Sequence, residues 1–413
     1  MERRHFLKTA AVGAIAPMAL SAAAAQPAAT PNPRVKELRD RIRPITPQAR
    51  LARLEKAQRL MTELGVDALL CEGGTTLGYY TAVSWGRSER LFAMILPRRG
   101  APSYIAPKFE ESRAREQVGD ARLLTWEEDQ SPYELIRTIL QDAGAATGTV
   151  ALEESTRSFV LDRMRKEIPG VTLVSGTPVT AGCRAVKSDD EIALMQIADD
   201  ITAEVFKASL PTLRDGLTER EFGATISKLF GEYGVSGGAL VLFGEASAYP
   251  HGSVKEHTLQ EGQIVLIDGG CSVEGYSSDI TRTTVFGRPT EKMRAVWETV
   301  RKAQSAALAA ARPGVPAEQI DAAARAVIVD AGYGPDYRYF SHRLGHGIGL
   351  EGHEWNYLVR GNTHRELAGE THSNEPGIYI PGEFGVRLED EMLITQDGAR
   401  LLLPQAPAID HIF

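Results

Sequence analysis

The sequence predicts a mixed α/β (α+β) protein of two domains, and three observations predict it. Short β-rich runs alternate with helical stretches through the first half. A joint at residues 176–182 precedes a long amphipathic helix with its own capping signal. In the second half, an apolar run at 264–267 ends in Asp268, and a second β-rich run follows Gly275. The chain has 413 residues, 43% hydrophobic and 24% charged, which is ordinary globular composition and enough for two domains.

The N-terminus carries Arg3-Arg4-His5-Phe6-Leu7-Lys8, then an Ala-rich apolar run and the small residues 21–25. This is the layout of an export signal, and the paired arginines resemble the twin-arginine type, with Glu2 where Ser or Thr is usual. Residues 1–25 are therefore expected to be a signal peptide and the protein to be periplasmic. The apolar run is too short and Ala-rich to anchor the chain in a bilayer. Residues 26–45 read as a flexible, Pro-rich leader.

Residues 46–65 predict a helix, with Thr46 as N-cap and Pro47 at its first position. Strands follow at 66–71, 91–96, 102–106, 122–126, 150–153 and 171–174, with 91–96 and 102–106 forming a hairpin. Helices at 132–143 and 157–168 complete an N-terminal domain over 46–178. Ser188 and Glu191 form a capping box opening the long helix of the second domain, 184–413. Further helices are predicted at 219–232, 292–311 and 317–331. The formal charge of −8 and the lack of a basic tract argue against a nucleic-acid partner. Cys71, Cys183 and Cys271 are expected to be free and buried.

The chemistry gathers in the second domain. If Glu274-Gly275 form a two-residue loop, Asp268 pairs opposite Thr281, and Asp279 is its diagonal neighbour about 7–8 Å away. Two buried like charges this close need a proton or a cation between them. Six of the nine histidines lie between 251 and 364, and His342, His346 and His353 fall among four glycines that let backbone approach closely. Glu375 precedes a rigid Pro376-Gly377 turn. Alternation sets Arg387, Glu389 and Glu391 on one strand face; Glu389 could equally be an exposed partner of Arg387. Four carboxylates and one histidine form a hard ligand set suited to divalent Mn, Co, Zn or Fe, and enough for two ions.

Asp268, Asp279, His346 in His-Gly-Ile-Gly, Glu375 in Glu-Pro-Gly-Ile-Tyr and Glu389 in Val-Arg-Leu-Glu-Asp resemble, in order and context, the five metal ligands of the pita-bread metallopeptidases. That family includes methionine aminopeptidase, aminopeptidase P and prolidase. The resemblance spans about 184–403, and the first domain is similar to the creatinase-type domain of the proline-specific branch, which methionine aminopeptidases lack. It implies a curved antiparallel sheet flanked by helices, two divalent ions with manganese the first choice, and a homodimer. It further implies that Asp268 holds one ion, Asp279 and Glu389 bridge both, and His346 and Glu375 complete the second. A bridging hydroxide would attack the bond before proline, with Glu375 as general base. His251 would contact substrate or shuttle protons, and His353 and His342 would steady the carbonyl or tetrahedral intermediate. Arg387 and Tyr379 would lie near the site and orient Glu389, with Tyr379 and His342 also contacting substrate.

The implied activity is that of a Xaa-Pro dipeptidase, with aminopeptidase P acting on longer Xaa-Pro peptides as the alternative. A dipeptidase needs a cation for the free carboxylate after proline; Arg360, Arg365, Arg87 and Arg90 are the candidates. The Ser84-Trp85-Gly86-Arg87 stretch resembles a loop that reaches a neighbouring subunit's site in relatives, which would make Trp85 a substrate contact; an exposed loop is the plainer reading. A creatinase-like C–N hydrolase would lack the ligand acids, and a non-catalytic binding protein would not need them. Trp355-Asn356-Tyr357, His372 and Asn374 depart from the family pattern beside the site, which leaves the shape of the substrate pocket open.

Overall fold

The computed structural model describes residues 33–413. The expected signal segment and residues 26–32 of the expected leader lie outside the described residues. The rest of the leader differs from expectation. Pro33–Asp40 is a helix, and its Val35 and Leu38 are buried in the core that holds the helix Asp189–Ser209. Two apolar side chains at i and i+3 suffice to dock a single face, even in a charged and Pro-flanked stretch.

The first domain is built on one six-stranded mixed sheet. Its central strand, Ala68–Glu72, pairs antiparallel with Ala93–Pro97 and parallel with Thr149–Leu152. The strands Ala93–Pro97 and Ser103–Pro107 form the expected antiparallel pair. The helix Pro47–Glu63 starts as predicted, with the Thr46 hydroxyl accepting from the Ala49 N–H. Apolar clusters cover both faces of the sheet.

The expected joint at 176–182 falls in a helix, Thr177–Arg184. It is tied to the first domain where Lys56 Nζ (3.1 Å) and Tyr79 Oη (3.0 Å) both donate to the Cys183 carbonyl. The capping box of Ser188 and Glu191 then opens Asp189–Ser209.

In the second domain the strand Ile264–Val273 lies between Ser236–Phe243 and Ile280–Val285. Val265 and Ile267 face a core shared with the helices Asp189–Ser209 and Glu219–Glu232. Ile264 and Leu266 face a second core shared with Glu291–Ala310 and Ala317–Asp330. Burial on both faces explains why this strand reads as a continuous apolar run rather than an alternating one. A five-stranded antiparallel sheet and the hairpin Gly377–Ile380/Phe384–Arg387 complete the domain. The three cysteines are free and buried. No helix of the described residues is long and apolar enough to cross a membrane.

Candidate metal centre

The central hairpin forms in the predicted register, with Asp268 opposite Thr281. Glu274 and Gly275 close it with φ of 51° and 88°. Two consecutive positive φ values match the right-handed twist of the flanking strands. Asp279 sits where pairing lapses before Ile280–Val285, and Glu391 Oε1 accepts from its backbone N–H at 2.9 Å. Glu389 is 2% exposed, so the exposed-strand alternative does not hold. Its backbone N–H donates to Thr281 O, and the Thr281 hydroxyl donates to its carboxylate at 2.6 Å.

His346 comes from the short strand Gly345–Gly347. A Cβ on Gly347 would stand 2.0 Å from the Trp355 carbonyl, so only glycine lets the neighbouring strand approach. His346 Nδ1 lies 3.0 Å from the Gly347 carbonyl, and burial lowers its pKa to about 3. The ring is therefore neutral, with Nδ1–H donating and the Nε2 lone pair free, the form a metal ligand needs. Glu375 Oε1 is 3.4 Å from that nitrogen and accepts from Ser373 Oγ at 3.0 Å.

The cage follows from these placements. Asp268, Asp279 and Glu389 offer oxygens within 4.8 Å of one another, and His346, Glu375 and Glu389 form an equally tight second set. Burial, then repulsion from Asp268 and Glu375, raises Asp279 well above the ordinary carboxylate range. Burial, then Asp279, does the same to Glu389. Burial pushes Glu375 up to about 7, Asp268 adding to the shift while Arg387 opposes it. Among the described residues Arg387 is the one lysine or arginine in an ion pair with these four acids, at 2.6 Å from Asp268. One cation against four crowded carboxylates and a neutral imidazole fits a pair of divalent ions.

Around the cage a cleft of about 140 Å³ is lined by the five predicted ligands with His251, His342, His353 and Arg387. Two expected roles change. Arg387 does not bond Glu389: it donates to Asp268 and to the Thr281 hydroxyl at 3.2 Å, and reaches Glu389 only through Thr281. The strand break before Asp390 puts Thr281 between them. His342 has both ring nitrogens engaged, Nε2 2.7 Å from Tyr379 Oη and Nδ1 2.8 Å from the Arg343 carbonyl. Burial lowers its pKa to about 3, so the neutral ring accepts from Tyr379 and has no free N–H for an intermediate. Tyr379 Oη in turn accepts from Arg387 Nη1 at 2.9 Å. This chain positions Arg387.

Trp85 is not brought to the cleft. It is stacked on Phe92 with ring centroids 4.2 Å apart, beside a separate cleft of about 610 Å³ between the first domain and the Glu274-Gly275 turn. The four candidate arginines are also occupied: Arg87 by Gly73 O, Arg90 by Glu128, Arg360 by Asp336 and Arg365 by Gly314 O. Besides Arg387, which is paired with Asp268, the cation that lines the cleft is Arg343, which the sequence reading passed over. It lies 3.9 Å over the Tyr357 ring and has no ion pair among the described residues. Its position between His342 and His346 was the only signal. Ser373, which holds both Glu375 and the His346 N–H, was missed for lack of any.

A fold of this kind around such a cage defines a metal-dependent hydrolase, and known proteins give its family. Residues 193–396 match Metallopeptidase family M24, and residues 53–186 match the Creatinase/Prolidase N-terminal domain. The Xaa-Pro dipeptidase of Lactobacillus helveticus is 34% identical over 351 residues, covering 84% of this chain and 95% of its own. The structure of dipeptidase PepE from Mycobacterium ulcerans aligns with a TM-score of 0.83 at 32% identity, over 90% of this chain and all of that one. Prolidase from Thermococcus sibiricus aligns at 0.78 and 31%, over 85% and 96%. The chain belongs to metallopeptidase family M24.

Proposed function

We propose that this chain is a Xaa-Pro dipeptidase whose cage, Asp268, Asp279, His346, Glu375 and Glu389, holds two divalent ions. The observation that carries the choice of dipeptidase is Arg343, an unpaired guanidinium on the wall of the cleft. A dipeptide ends in a carboxylate one residue past the scissile bond, and a guanidinium matches it in charge and geometry. Relatives named Xaa-Pro dipeptidase support the same reading. Manganese is the first choice of ion, because the donor set is rich in oxygen.

The bound ions would polarise the scissile carbonyl and make water nucleophilic near neutral pH. The protein's own groups do the rest. Glu389, common to the two halves of the cage, and Asp279, 3.9 Å from His346 Nε2, hold them together. Glu375, partly buried and hydrogen-bonded to Ser373, takes a proton from water and returns it to the proline nitrogen. His353 and His251 are exposed on the cleft wall, where one steadies the carbonyl oxygen and the other carries protons to solvent. Arg387, held by Tyr379 and His342, fixes the carboxylate of Asp268.

The twin-arginine-like start supports export to the periplasm after folding, with residues 1–25 removed. A homodimer is also proposed, with the 84–87 loop at the contact between subunits. The substrate reading is tested with Mn²⁺-loaded protein on a Xaa-Pro dipeptide and the matching Xaa-Pro-Yaa tripeptide. The dipeptide is expected to be cleaved with kcat/KM about tenfold higher or more. A reversed preference makes the protein an aminopeptidase P.

A further inference from the structure

A second cluster of metal-type side chains lies outside the cleft. His364, Glu366 and Glu370 each bring a ligand atom within 4.8 Å of the other two. They come from the segment leading into the strand Thr371–Asn374, and none of them lines the catalytic cleft. His364 Nε2 stands 3.0 and 3.1 Å from the two oxygens of Glu370. Glu370 also accepts from Asn356 Nδ2 at 2.6 Å and from the Leu367 N–H at 2.8 Å. Glu366 is wholly buried; its Oε2 is 2.6 Å from His372 Nε2.

The second observation is what these groups lack. Glu366 Oε1 is buried with no hydrogen-bond partner, and so is His372 Nδ1. Among the described residues neither Glu366 nor Glu370 is paired with a lysine or arginine. An unsatisfied polar atom of this kind costs about 1–3 kcal/mol, more when charged, unless something takes it up. A buried carboxylate beside a second carboxylate and an imidazole is satisfied most directly by a divalent cation. His372, singled out in the sequence as a departure from the family pattern, finds its place here as the outer partner of Glu366.

We propose that His364, Glu366 and Glu370 form a second, mononuclear site for a divalent ion of the zinc class. The ion would take one imidazole nitrogen and two carboxylates, with water in the fourth position. Binding replaces the proton that His364 shares with Glu370, so loading releases a proton. His372 holds Glu366 in place from behind, as outer partners of zinc ligands do. His364, with a side chain 32% exposed, is the way in for the ion. The ion would tie together the 364–370 segment just ahead of the strand Thr371–Asn374.

The test separates this site from the catalytic cage. The double variant Asp279→Ala/Glu389→Ala is dialysed against Zn²⁺, exchanged into metal-free buffer and analysed for metal. It is expected to keep about one equivalent of zinc per chain. Adding His364→Gln or Glu366→Gln should remove that equivalent. Should the cage variant not fold, the same changes in the wild-type chain should lower bound zinc by about one equivalent and leave peptidase activity in place. Zinc absent from a folded cage variant, or retained in full after both His364→Gln and Glu366→Gln, overturns the proposal. Neither result bears on the catalytic cage, whose own loss shows in activity.

Discussion

Arg343 is the residue whose replacement separates recognition from chemistry. Arg343→Ala should raise KM for a Xaa-Pro dipeptide by about 10–100-fold, the worth of a charge-assisted hydrogen bond, while kcat and metal content stay near wild type. A drop in kcat at unchanged KM contradicts the assignment. Glu354 gives a second residue-scale prediction. It is buried between Arg184 (2.6 Å) and Lys187 (2.9 Å) at the start of the second domain. Burial opposes its charge, but Lys187 and Arg184 outweigh that and hold the carboxyl below its ordinary value of 4.5. A depressed carboxylate contributes stability above its unfolded value and loses it as pH falls through the folded one. Glu354→Gln should therefore cost about 3–5 kcal/mol at pH 7. Urea unfolding should show that gap closing below about pH 4; a gap constant with pH refutes the pairing. The five residues of the candidate cage could be picked out in the sequence because their motif contexts resemble a known family's ligands. Arg343 and Ser373 could not, because their roles depend on strands brought together from far apart.

At the scale of elements, the hairpin was the most legible part of the chain. Its turn residues fix the register, and the register alone sets Asp268 opposite Thr281. The helices Pro33–Asp40 and Thr177–Arg184 were not legible, since each is eight residues long and owes its stability to what it packs against. The strand Gly345–Gly347 is too short to carry any periodicity, and its position rests on close backbone contact. Gly347→Ala should destabilise the protein by about 1–3 kcal/mol by forcing the strands apart. It should also cut metal content, because His346 moves with the strand. Unchanged thermal unfolding and metal content would show that the neighbouring strand yields freely.

At the scale of the molecule, the alternation of elements suggested the first domain and 176–182 suggested a joint, but the contacts across that joint were not legible. Arg53 of the first domain donates to Tyr276 Oη at 2.8 Å, beside the hairpin turn. The domains are thus coupled at the element that carries Asp268 and Asp279. Ions bound only by the folded chain add to its stability, by about 2.7 kcal/mol at a hundredfold excess over Kd. A chelator should therefore lower Tm as well as activity, and Mn²⁺ should restore both. The most direct test of the central claim is metal content and dipeptide hydrolysis measured together on folded Asp279→Ala and Glu389→Ala variants. The cage predicts that both variants lose the metal held by the cage, beyond any equivalent at His364, Glu366 and Glu370, in parallel with activity. A variant that hydrolyses the dipeptide without metal would contradict it.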